Sequence, residues 1–140
     1  MDQNKLTARH DTGLWGLLLR IGAVASLAAL LWEFVTAGQL ITYNMDFLPL
    51  HYGGAFAVHA ATGLLALAAL MVWLRSRNRT NGTRSPELTL LVVSLGAFVT
   101  GFPQAATGTE GPLQLHVPLA LLLTALTVWA TVLVFRGRST

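Results

Sequence analysis

Four apolar runs, each near the roughly 20 residues a helix needs to cross a hydrocarbon core, leave this 140-residue chain almost nothing from which to build anything else. They lie near 21–43, 54–74, 88–106 and 114–135. Only helices and closed barrels satisfy their backbone polar groups inside a bilayer, and runs this long and continuous predict helices. The expected fold is all-α: a polytopic membrane protein with four transmembrane helices in an up-down bundle over 21–136, a leader at 1–20 and a tail at 137–140. With 11% charged residues, little remains for a soluble domain.

All nine Lys and Arg fall in alternate connections. Lys5, Arg9 and Arg20 precede the first run, Arg75, Arg77, Arg79 and Arg84 lie between the second and third, and Arg136 and Arg138 end the fourth. By the positive-inside rule both termini and the 75–84 loop are cytoplasmic, and 44–52 and 107–113 face outward, in the plasma membrane of a prokaryote. The pI of 10.2 therefore reflects topology and anionic headgroups, with the lipid bilayer as partner and no nucleic acid. The first run is too long for a cleavable signal peptide and no small-residue cleavage motif follows it. Met1–Thr12 reads as a mobile polar leader and Gly13–Leu19 as an interfacial stretch. Trp15, Trp73 and Trp129 form an inner aromatic belt. Asn81–Gly82 marks a turn, and Pro86 suits the first turn of the third helix, with Ser85 as N-cap and Glu87 at the positive dipole end. Without cysteine there are no disulfides, thiolate metal sites or Cys nucleophiles.

The two halves of the chain echo each other. Phe34-Val35-Thr36 recurs as Phe98-Val99-Thr100, each followed by a glutamine, Gln39 or Gln104. Each half then has an outward connection, a helix with a histidine near its start, and an aromatic residue shortly before a closing arginine. This reads as a duplicated helical hairpin with a pseudo-two-fold axis along the membrane normal, which puts His59 and His116 in equivalent positions.

Histidine inside a span is costly unless it is bonded, paired or ligating. At about 1.5 Å per residue, His59 and His116 each sit within ~10 Å of the outer boundary. Four residues on, on the same helix face, stand Gly63 and Ala120, small enough to admit a flat ligand beside each imidazole. Two imidazoles from facing helices of a four-helix bundle can hold a haem iron from both sides. The alternative is that each histidine hydrogen-bonds a carbonyl or hydroxyl near the headgroups. The outward face has no Lys or Arg for haem propionates, so His51, Tyr52, Tyr43, Asn44, helix N-termini or water would have to serve.

Glu33, the acid at mid-span in the first helix, is a candidate proton relay or a neutral hydrogen-bonded carboxyl. Gln39 and Gln104 can bond across helices or hold a ligand. His51 and Tyr52, placed just before the second helix, read as interfacial anchors, with a second metal or quinone site as the alternative. Pro103 and Pro118 are expected to kink helices three and four beside the histidines.

Phe34…Ala37-Gly38-Gln39, His59-Ala60-Ala61-Thr62-Gly63, Gln104 and Leu115-His116 together resemble small four-helix membrane proteins of the actinobacterial type with unassigned function. More distantly they resemble one half of haem A synthase, a tandem of four-helix bundles with a histidine in the second and fourth helix of each half. That resemblance maps haem-ligating histidines onto His59 and His116. Where the synthase has a glutamate three residues before the first histidine and often an arginine after it, this chain has Phe56 and Ala60, which argues against the synthase reaction.

The leading expectation is one haem b held by His59 and His116 near the outer leaflet, with Gly63, Ala120, Gln39 and Gln104 around it, for electron transfer or haem handling rather than catalysis. A redox protein or membrane complex is the expected partner, and a homo-oligomer is compatible with the sequence. The rival is a cofactor-free accessory or structural subunit whose small-residue faces dock a larger complex. The third is a small transporter using Glu33 and the glutamines.

Overall fold

The computed structural model describes residues 3–77, 86–109 and 111–136, with side chains from Gly13 onward. It contains four long helices: α1 (Gln3–Ile41), α2 (Leu48–Ser76), α3 (Pro86–Thr109) and α4 (Leu113–Arg136), with a 3-10 turn at Met45–Phe47 between α1 and α2. There is no strand among the described residues, and every helix is long and apolar enough to cross a membrane.

The helices outrun the expected spans. α1 is already helical at Gln3, where a mobile leader is expected, and continues without a break through Gly13–Leu19. It stops at Ile41, two residues short of the expected end, because Tyr43 turns left-handed (φ 63°). The Asn44 and Thr42 amides then both donate to the Gln39 carbonyl, closing the helix end. α2 starts six residues earlier than expected. Pro49 in its first turn needs no hydrogen-bond partner for its nitrogen and is preset for helix, and Gly53 and Gly54 lie inside the helix. α3 begins at Pro86 with Glu87 in its first turn, as expected; Ser85 and the Asn81–Gly82 turn lie outside the described residues. Pro103 and Pro118 are both internal to their helices.

α1 packs on α2, α2 on α3 and α3 on α4, and α1 also touches α4, so the four close into a bundle. Gly22 sets the α1–α2 distance: a Cβ there would lie 2.9 Å from the Leu65 backbone nitrogen. One core layer joins Leu19, Ala23, Leu65, Ala68, Val93 and Ala130, and a second joins Leu30, Val58, Ala97 and Leu123. Three buried hydroxyls return to their own helices, Ser26 to Gly22 O, Thr62 to Val58 O and Thr127 to Leu123 O, which satisfies them without water. Large apolar side chains such as Leu31, Val92, Val117 and Leu121 point outward, as lipid contact requires. At one end Arg75 lies 5.3 Å over the Trp15 ring and Arg77 5.6 Å over Trp73. The functional polar residues gather near the other end, at the close of α1 and α3 and the start of α2 and α4.

Candidate functional site

Helical spacing aligns the site. His51, Ala55 and His59 are four residues apart on one face of α2; Leu30, Glu33 and Ala37 share a face of α1; His116, Ala120 and Leu123 share one of α4. With Gln104 of α3 they surround a cavity of about 280 Å³. Phe34, Val58, Val117 and Leu121 make its walls apolar. Its well-exposed lining residues, Ile41, Val117 and Leu121, belong to α1 and α4.

Each histidine is oriented differently. His59 Nδ1 lies 2.8 Å from the Ala55 carbonyl oxygen one turn back, and His116 Nδ1 lies 2.7 Å from the Gln104 carbonyl oxygen of α3. A carbonyl only accepts, so both imidazoles donate from Nδ1 and, when neutral, keep a lone pair on Nε2. The His59 ring stands edge-on to Phe102, with centroids 4.8 Å apart, and its Nε2 edge lies against Gly101. The Gln104 side-chain amide donates to His116 Nε2 across 3.2 Å.

The third histidine belongs to the site as well. His51, read above as an interfacial anchor ahead of the helix, is inside α2. Its Nδ1 lies 3.2 Å from Glu33 Oε2 and 2.9 Å from Thr36 Oγ1, and its ring centre is 6.4 Å from that of His116. The other oxygen, Glu33 Oε1, is buried with no hydrogen-bond partner. The sequence signal was the spacing of eight residues from His59, two helical turns on one face, visible only once Pro49 is taken as the start of the helix.

Of the other expected residues, Ala120, Gln104 and Glu33 line the cavity. Gly63 does not: it faces Phe98 of α3, whose Cε2 would lie 3.2 Å from an added Cβ. Gln39 serves the α1 end, accepting from Asn44 Nδ2 at 3.4 Å through its side chain and from Thr42 Oγ1 at 2.8 Å through its carbonyl. The small residues that make room for the imidazoles come from other helices. Gly101 lies against His59, Gly108 would place a Cβ 2.6 Å from His116 Cε1, and a Cβ at Gly54 would collide with Glu33 Oε1. Same-helix spacing cannot reveal such neighbours.

No group of three or more His, Asp, Glu or Cys close enough to hold a metal ion occurs among the described residues. The carbonyl bonds at Nδ1 fix the ring orientation of His59 and His116. Compared with known protein families, curated proteins and solved structures, the chain matches none.

Proposed function

We propose that this protein holds one haem b between His59 of α2 and His116 of α4 and serves electron transfer or haem handling. The observation that carries this reading is the pair of Nδ1-anchored imidazoles bordering one apolar cavity. Bound there, the group would be held by His59 and His116 and would supply one-electron chemistry. Leu30, Val58 and Leu123 would exclude water, and Gly38 and Ala120 leave space for a flat ring.

The ligation has a stated cost. His116 Nε2 now accepts from Gln104, so that amide must swing away before the nitrogen can ligate. The His59 ring must likewise turn from Gly101 toward the cavity. The resemblance to half of haem A synthase supports the same pair. Phe56, at the position of that family's glutamate, lies outside this cavity and is 80% exposed, which favours holding haem over the synthase reaction. The positive-inside rule would set both termini in the cytoplasm of a prokaryotic cell and the site toward the outer leaflet, within reach of a redox partner.

The test is the reduced-minus-oxidised spectrum of the purified protein expressed with ample haem. A b-type spectrum lost in both His59→Ala and His116→Ala is expected. A featureless spectrum at full protein yield would sink this reading in favour of the cofactor-free accessory subunit, and co-purification would then be the experiment.

A further inference from the structure

The charged groups at the other end of the bundle take no part in the cavity. Among the residues whose side chains are described, the arginines are Arg20, Arg75, Arg77 and Arg136 and the acids are Glu33, Asp46 and Glu87. Glu33 and Asp46 belong to the histidine end, where Glu33 meets His51. Glu87, in the first turn of α3, is the acid left at the arginine end. None of the four arginines is paired with a carboxylate among the described residues.

Two of them are held instead by indoles. The Arg75 guanidinium lies 5.3 Å over the Trp15 ring, so a side chain of α2 rests on one of α1, and Arg77 lies 5.6 Å over Trp73, one turn back on its own helix. Trp15 packs with Val72 against the buried layer of Leu19, Ala23 and Leu65, which fixes the ring that carries Arg75. An aromatic face attracts a guanidinium but offers no oxygen to its five N–H donors. Among the described residues no protein acceptor meets the donors of Arg75 or Arg77, and both residues are exposed. Two residues apart on a helix, they point to different sides of α2 and are separate contact points on its rim rather than one clamp.

Their surroundings determine which acceptor reaches them. Leu14 and Leu17, beside Trp15, are well exposed on a helix apolar enough to cross a membrane, and indoles at the end of such a helix sit at headgroup depth. The acceptor at that depth is a phospholipid phosphate, which a guanidinium binds through paired N–H groups. A zwitterionic headgroup brings its own cation to a surface already rich in arginine; an anionic one does not. We propose that this end of the bundle binds anionic phospholipid headgroups, with Arg75 on Trp15 and Arg77 on Trp73 as its contact points. Composition alone implies a diffuse attraction to anionic membranes, which two guanidiniums preset by aromatic rings make local. The rings also reduce the freedom that each long side chain loses on binding. This surface is independent of the haem reading.

The test reconstitutes the purified full chain in phosphatidylcholine vesicles containing a rising fraction of lipid with dibrominated chains, whose bromines quench the tryptophans they reach. The brominated lipid carries either a phosphatidylglycerol or a phosphatidylcholine headgroup. Phosphatidylglycerol is expected to quench at a several-fold lower fraction. Arg75→Gln and Arg77→Gln are each expected to reduce that preference by a factor of up to roughly five, the effect of one basic residue beside an anionic surface. Asp46→Asn, at the far end, is expected to leave it unchanged. Equal quenching by the two headgroups in the wild-type protein would overturn the proposal, and this comparison needs no variant. So would a preference that survives when Arg75 and Arg77 are both replaced by Gln, with circular dichroism confirming the fold. Inorganic phosphate, against sodium chloride at matched ionic strength, separates the two sources of the anion. An unchanged preference supports the lipid surface, whereas loss with phosphate alone would assign the arginines to a soluble anion and overturn it.

Discussion

At the scale of single residues, the site is made by what is missing beside the imidazoles as much as by the imidazoles themselves. A Cβ at Gly108 would meet His116 at 2.6 Å, and that atom is on the ring, not on a flexible chain end. Gly108→Ala is therefore expected to push His116 off the Gln104 carbonyl and, under the proposed function, to lower the haem-to-protein ratio several-fold. Gly16→Ala is its control: nothing lies within 4 Å of the added methyl, and alanine in a helix interior is worth up to ~1 kcal/mol over glycine. A thermal melt should show Gly16→Ala unchanged or raised. Ser94 gives a second contrast. Its hydroxyl is fully buried with no partner, so Ser94→Ala leaves nothing unsatisfied and is expected to be neutral or stabilising by about 1 kcal/mol, by the same melt. His59 and His116 are legible in the sequence as costly intramembrane residues. His51 was not, because its role depends on being inside a helix whose start was read six residues too late.

At the scale of elements, two backbone features can be tested. Tyr43 closes α1 in the left-handed region, which costs a side-chain-bearing residue roughly 1–2 kcal/mol, and its side chain is 90% exposed. Tyr43→Gly removes that cost and is expected to raise the melting temperature. A fall would mean that the tyrosine ring contributes more through the membrane interface than the turn costs. Gly22 carries the opposite expectation. Its missing side chain lets α1 approach the Leu65 backbone, so Gly22→Val forces the helices apart and should destabilise by about 1–3 kcal/mol, the usual range for overpacking. The duplicated-hairpin reading also meets its limit at this scale. Gln39 and Gln104 occupy matching places in the sequence, yet one serves the α1 turn and the other holds His116. A short repeat sets helix order and length; the side-chain partners differ because one turn follows a tyrosine in the left-handed region and the other helix carries an internal proline.

At the scale of the whole molecule, the separation of charge from site carries the prediction. Arg75 and Arg77 sit with Trp15 and Trp73 at one end, and the histidines and Glu33 lie toward the other. The absence of cysteine makes orientation simple to measure. A single cysteine at Asp46→Cys, in the turn between α1 and α2, is expected to react with a membrane-impermeant thiol reagent added to intact cells. One at Arg77→Cys is expected to react only after permeabilisation. The reverse pattern would place the cavity toward the cytoplasm.

Four helices, their lengths to within a few residues at most ends, and the two histidines most costly to leave unbonded were determined by the sequence itself. Apolar run length and charge placement are properties of consecutive residues. What surrounds those histidines was decided only by the tertiary structure: Gly101 and Gly108 from α3 in place of Gly63 on the same helix, Gln104 bonded to His116, and His51 drawn to Glu33. Such contacts depend on helix rotation and on where α2 begins, and both follow from how close two backbones can pack, as Gly22 and Gly54 allow, which hydropathy along one chain does not encode.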